Sequence, residues 1–309
     1  DLIARVAPTD SRVLITGESG VGKELVAAAI QAGRSRRDRA FVRVNCAAIP
    51  RDLVESEMFG HEKGSFTGAT ERRIGRFELA HTGTLLMDEV GDLGAEAQAK
   101  LLRAIEAREI ERVGGAHPIR VDVRIVSATN KDLTRAVREG RFREDLLFRL
   151  NVIPLAVPPL RERPSDIPAL VRHFTALYQV RTGQTPPRWT ADAVSALTRY
   201  GWPGNVRELA NIVERLSILH ASSEVSEDAI RSVLPVERAT APAPLPDPSA
   251  LDHSLSDTLD EYERMLIARA LSMSGGNVAE AARKLKTDRP NLYRRMRRLG
   301  LGGSPGSEE

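Results

Sequence analysis

At 309 residues the chain exceeds one ordinary domain, so two or three folded units are expected. Hydrophobic residues at 41% and charged residues at 28% exclude a disordered or fibrous chain, and no apolar run is long enough to cross a bilayer. A net charge of +3 points to no partner by itself, and a single cysteine, Cys46, excludes an internal disulfide and a cysteine-built metal site.

The opening Asp1-Leu2-Ile3-Ala4-Arg5 has neither a signal-peptide layout nor an initiator methionine, so the chain is expected to begin inside a longer, cytoplasmic protein. Strands are predicted at Val13-Leu14-Ile15-Thr16, Phe41-Val42-Arg43-Val44, Thr84-Leu85-Leu86-Met87, Arg124-Ile125-Val126-Ser127-Ala128 and, less clearly, Val152-Ile153-Pro154-Leu155. Near-continuous apolar strands separated by enough chain for crossover helices indicate an α/β unit with a parallel sheet covered on both faces, assigned to residues 1–167. From 168 to 234 the strand signal vanishes. Leu209, Ile212, Val213, Leu216 and Leu219 recur at helical spacing, so a small helical subdomain is predicted there. Residues 235–253, with Pro235, Pro242, Pro244, Pro246 and Pro248 among alanines, suit an extended linker. A helix over about 255–272 and a compact basic helical tail complete a unit at 254–301, and 302–309 is expected to be frayed.

The strongest chemical signal is Gly17-Glu18-Ser19-Gly20-Val21-Gly22-Lys23-Glu24, placed after a strand and before a helix. Glycines there let backbone N–H groups curl around phosphate oxygens, the helix start favours the anion, and Lys23 reaches the terminal phosphates. The general phosphate loop has Ser or Thr after the lysine, to bind magnesium; here it is Glu24. An Asp-Glu pair after a strand is commonly just a surface pair. Downstream of a phosphate loop in an alternating α/β pattern, Asp88 is instead assigned to Mg2+ and Glu89 to the attacking water. Asn45, Thr129 and Asn130 also follow strands and are candidates to converge on the phosphates, although the same residue types serve turns and caps.

At this point the chain resembles the AAA+ domain of bacterial enhancer-binding proteins, the sigma-54-dependent activators. The resemblance rests on the phosphate loop with its Glu24, Asn45-Cys46-Ala47-Ala48, Phe59-Gly60-His61-Glu62, Gly64-Ser65-Phe66-Thr67-Gly68-Ala69, the run from Phe142 to Leu150, Pro158-Pro159-Leu160-Arg161-Glu162-Arg163, and Trp202-Pro203-Gly204-Asn205-Val206-Arg207-Glu208-Leu209. These occur in the family's order and cover roughly residues 1–234. The resemblance implies a P-loop NTPase core with a helical lid, ATP hydrolysis, and a homo-oligomeric ring of six or seven subunits. Asn45 matches the residue that restrains the catalytic glutamate, Glu89; Asn130 with Thr129 matches the sensor of the terminal phosphate. Arg143 and Arg149 match arginines that reach the neighbouring subunit's site, and Arg207 the lid's sensor arginine. The Gly64–Ala69 loop matches the element that grips sigma-54 on RNA polymerase, with Ser65 where the family usually has Ala. Phe66 has little apolar sequence around it, as suits a contact residue on a mobile loop.

In the tail, residues 276–285 and 286–299 predict helix, tight turn, helix, with Ala281, Ala282 and Leu285 giving the first helix a small packing face and Leu292, Met296 and Leu299 giving the second an apolar stripe. Asp288 suits an N-cap, and Pro290 the first turn. Positive charge concentrates here, as an electrostatic footprint for DNA phosphates does. This segment resembles the Fis-type DNA-binding domain, whose turn usually carries glycine where Lys286 stands. Lys286, Arg289, Asn291, Tyr293, Arg294 and Arg295 are the candidate contacts to double-stranded enhancer DNA. Leu259, Tyr262, Met265, Leu266 and Leu271 on the preceding helix suit a dimer face. The competing expectation is a DNA-binding regulator that keeps the AAA+ fold without engaging sigma-54.

Overall fold

The computed structural model describes residues 2–33, 38–234, 255–272, 274–275 and 277–301; the predicted linker at 235–253 and tail at 302–309 lie outside them. Two compact units divide near residue 236. In the first, five strands form one parallel sheet: β1 (Val13–Thr16), β2 (Phe41–Asn45), β3 (Thr84–Asp88), β4 (Arg124–Thr129) and β5 (Ile153–Ala156), in the order β2-β3-β4-β1-β5. Each predicted strand is found, within one or two residues at its ends. Alternation along the strands divides their side chains between two cores. Leu14, Leu85, Met87 and Ile125 face one cluster, while Val13, Ile15, Leu86, Val126 and Ala128 face the other. That two-sided burial is why these strands are apolar throughout.

The helical part after residue 167 has its own core, built on Trp202, Leu209, Ile212, Val213 and Leu216. Its longest helices are Ile167–Thr182 and Asn205–Leu219. Trp202 is fully buried and donates its indole N–H to the Leu197 carbonyl at 2.8 Å, so the large ring carries no unpaired polar atom. Leu219 departs from expectation: at the helix end it is 62% exposed. The segment also holds a two-residue parallel pair, Arg188–Trp189 with Glu224–Val225, where no strand was expected. Two residues give no periodicity to detect.

The second unit packs the helix Leu255–Ser272 with Val278–Lys284 and Arg289–Arg298 around Ile267, Ala270, Ala281, Ala282, Leu292, Met296 and Leu299. Asn277 and Asp288 cap the last two helices through side-chain oxygens.

Candidate functional site

The phosphate loop joins β1 to the helix Lys23–Ala32. Gly20 and Gly22 have φ of 79° and 103°, a region that L side chains avoid. Lys23 is only 7% exposed, and its ammonium donates to the carbonyls of Gly17 (3.0 Å) and Glu18 (3.3 Å) and lies 3.5 Å from Glu89 Oε1. Glu24, in the first turn, is exposed.

β3 delivers Asp88 and Glu89 beside this lysine. Burial, and then the neighbouring Glu89 charge, push the Asp88 carboxyl above its ordinary range, with Lys23 opposing. Glu89 sits at φ 53°, and its Oε2 accepts the Asn130 backbone N–H at 3.0 Å. β4 therefore positions the glutamate through its backbone. The Asn45 side chain does not meet Glu89: its Oδ1 accepts the N–H groups of Ala47 (3.0 Å) and Ala48 (3.2 Å), closing a turn. Asn45 nonetheless stands beside Asp88 in register across β2 and β3. Thr129 is buried, and its hydroxyl accepts the Lys131 N–H at 3.1 Å. Excess carboxylate charge opposite one lysine fits a divalent cation. Among the described residues no cluster of three or more His, Cys, Asp or Glu could hold a metal ion by protein side chains alone.

The lid closes the other wall. Arg207 donates to Ser19 Oγ at 3.1 Å. Arg161 and Asn205 both bind the Glu18 carboxylate, Asn205 Nδ2 at 3.0 Å from Oε2. Glu18, expected at the nucleotide, thus gives its side chain to the lid seam. Between loop and lid lies a cleft of about 270 Å³ whose lining combines Lys23, Asp88, Glu89 and Arg207 with the apolar Leu25, Phe174, Val206 and Ala210. The apolar wall suits a flat ring system and was missed from sequence, because its members are scattered and individually ordinary. A larger cavity of about 400 Å³ lies at the amino ends of the strands, lined by Arg12, Arg108, Asp122 and Val152. Open α/β sheets bind ligands at the opposite, carboxyl ends, which favours the cleft.

Arg143 and Arg149 are about half exposed, paired with Asp145 and Glu106 respectively. Among the described residues neither makes a hydrogen bond or ion pair with its own chain's Lys23 or Glu89, and the intervening Phe148 is 71% exposed. The Gly64–Ala69 loop is closed by Gly64 N–H to the Ala69 carbonyl (2.7 Å) and Ala69 N–H to the Phe66 carbonyl (3.0 Å). Phe66 is 38% exposed but not free, since its ring meets His61 edge-on at 5.1 Å. A second loop, unnoticed in the sequence, supports the first. Arg112 bridges Glu62 (2.6 Å) and Glu78 (2.8 Å), Val113 pairs with Gly60 and Glu62, and a Cβ on Gly114 would lie 2.5 Å from Ser65 Cβ.

In the second unit, Lys286 takes φ 52°, the left-handed geometry that glycine supplies most easily. Arg289 lies over the Tyr293 ring at 5.6 Å, and Asn291 Oδ1 accepts from Arg295 (3.1 Å) and Arg294 (3.4 Å). Arg295 and Arg298 both bind Glu263 on the preceding helix. Arg295 therefore has a structural partner that its basic surroundings did not suggest. Leu259, Tyr262, Met265 and Leu266 are exposed, whereas Leu271 packs onto the unit's own core.

Residues 1–156 match the Sigma-54 interaction domain, residues 161–244 the AAA+ ATPase lid domain, and residues 258–299 the Fis family of bacterial regulatory proteins. The chain belongs to the sigma-54-dependent, NtrC-like family of activators. Its relatives in this family include the DNA-binding transcriptional regulator NtrC of Rhizobium meliloti, 45% identical over 97% of this chain and 67% of that protein. The transcriptional regulatory protein ZraR of Escherichia coli is 46% identical over 96% of this chain and 65% of its own length. Crystal structures of NtrX from Brucella abortus superpose with TM-scores of 0.70 in complex with ADP (39% identity, 97% of this chain and 67% of that one) and 0.69 with ATP (40% identity, 96% and 66%). The chain thus spans about two thirds of the length of these relatives. Its fold is the α/β AAA+ fold with a helical lid and a helix-turn-helix unit. No helix among the described residues is long and apolar enough to cross a membrane.

Proposed function

We propose that this chain is an ATP-hydrolysing transcription activator that binds enhancer DNA and remodels sigma-54 RNA polymerase. The observation that carries the proposal is the meeting of Lys23, Asp88 and Glu89 at the carboxyl ends of the central strands, beneath Arg207 of the lid. Lys23 binds the terminal phosphates, and Glu89, oriented by the Asn130 N–H, accepts a proton from the attacking water. Asp88 would hold Mg2+, which when bound neutralises charge on the phosphate oxygens. Leu25, Phe174, Val206 and Ala210 enclose the base.

Arg143 and Arg149, half exposed and paired with Asp145 and Glu106, act on the site of the next subunit, so the working species is a ring. The Gly64–Ala69 loop presents Phe66 to sigma-54, while Lys286, Arg289, Asn291, Tyr293 and Arg294 face DNA with the Leu255–Ser272 helix as a dimer surface. NtrX binding of ADP and ATP supports the nucleotide assignment by likeness.

In vitro transcription by sigma-54 polymerase from an enhancer-bearing template tests the proposal. Open complexes should form with ATP and not with a non-hydrolysable analogue. DNA binding and ATP turnover without open complexes would instead favour a regulator that does not engage sigma-54.

A further inference from the structure

All five carbonyls from Gly17 to Val21 are occupied by donors. Lys23 takes those of Gly17 and Glu18. The next three are held from the lid side: Ser19 O by Asn205 Nδ2 at 3.1 Å, Gly20 O by the Arg207 N–H at 3.3 Å, and Val21 O by Arg163 Nη2 at 2.8 Å. A carbonyl and the N–H of the following residue lie in one peptide plane and point in opposite directions. Holding the Ser19, Gly20 and Val21 carbonyls by donors of the lid side therefore fixes the direction of the Gly20, Val21 and Gly22 N–H groups, the arrangement of successive amides that receives an anion.

Asn205 is the centre of this arrangement. It is fully buried, at φ 53°, a region in which asparagine is among the few side chains commonly found. Its Oδ1 accepts the Leu160 N–H at 2.8 Å, while Nδ2 reaches both Ser19 O and Glu18 Oε2. The amide orientation is dictated by its partners, since one side offers only a donor and the other only acceptors. One side chain so ties together the segment entering the lid, the lid helix start and the phosphate loop.

We propose that Asn205, assisted by Arg163, is a positioning residue of the phosphate loop: the lid holds the loop in its anion-binding shape and does not merely cover the nucleotide. This rests on the reading of the cleft as an ATP site. Because the loop cradles phosphates shared by ADP and ATP, both ligands should be affected alike.

The test is the affinity of the full chain for ADP and ATP by titration calorimetry, with kcat at saturating ATP and thermal unfolding alongside. Asn205→Asp keeps the size but turns two donors into acceptors facing a carbonyl and a carboxylate. It should weaken both nucleotides by about tenfold or more while kcat changes far less. Asn205→Gly suits the positive φ while removing the amide; Arg163→Gln removes the Val21 link together with the 3.8 Å ion pair to Asp166. Both should weaken ADP and ATP together, Arg163→Gln with little change in melting temperature and Asn205→Gly with a fall of about a few degrees from the unpaired Leu160 N–H. Should Asn205→Asp fail to fold, the glycine and Arg163→Gln variants decide by the same criterion. Affinities within about twofold of the unaltered chain would overturn the proposal. An unaltered chain that binds no nucleotide sinks the ATP-site reading as well, whereas normal binding beside unaffected variants sinks this inference alone.

Discussion

Arg161 grips Glu18 with both guanidinium nitrogens, Nη1 to Oε2 at 2.9 Å and Nη2 to Oε1 at 2.6 Å. The Arg161 hydrogen bonds, followed by that from Asn205, hold the Glu18 carboxyl down to about 2. A depressed carboxyl stabilises the folded form above its unfolded value, and that contribution fades only as pH falls toward the depressed one. The seam should therefore be insensitive to pH across the neutral range. Glu18→Gln should lower nucleotide affinity about fivefold, Arg161→Lys should not substitute for the fork, and a double Glu18→Gln/Arg161→Gln variant should lose little more than either single change. Additive losses in nucleotide titrations would show that the pair does not act as a unit.

Asp88 has the opposite sign. Its carboxyl is raised by burial and by Glu89, so its ionised form costs stability above that range, and the cost disappears as pH falls below the ordinary carboxylate value. Asp88→Asn should raise the melting temperature by about a few degrees at neutral pH while abolishing turnover. A lowered melting temperature in differential scanning calorimetry would contradict the assigned charge balance.

The exposed Arg149 gives a mixing experiment. Arg149→Ala and Glu89→Ala chains should each be inactive, yet an equal mixture in random rings restores a complete seam at about a quarter of interfaces. Phosphate release near that fraction of the unaltered rate is expected. No recovery at any ratio would argue that the arginine acts within its own chain.

Phe66→Ala should leave ATP turnover within about twofold and abolish sigma-54 engagement, because the ring touches His61 and no residue of the cleft. Retained sigma-54 binding in a pull-down would remove the loop from the contact surface.

Lys286→Gly should stabilise the second unit by about 1 kcal/mol through relief of its left-handed backbone. Enhancer binding should weaken at the same time, with the salt dependence shallower by about one phosphate contact. Thermal melting and filter binding at several salt concentrations separate the two effects.

The five sheet strands and the phosphate loop were legible in the sequence because each carries its own signal: β-branched runs for the strands, spaced glycines and a lysine for the loop. The cleft's apolar wall was not, since Leu25, Phe174 and Val206 are brought together only by folding. Asn45 illustrates a limit of another kind. Its position at the end of β2 was correctly placed, but the side chain is taken by a local turn. In the tail, counting charges located the basic face without revealing that Arg295 and Arg298 share Glu263. The partners of Glu18 lie 143 and 187 residues away, beyond any local pattern.

Gly20 and Gly204 face one another with no room to spare: a Cβ on Gly20 would stand 2.4 Å from the Gly204 carbonyl oxygen. The approach of the helical subdomain is thus gauged by one missing methyl group, that of Gly20. A single added carbon would act as a shim, setting the smallest angle to which the jaw can shut and, through it, how firmly any phosphate chain is clasped.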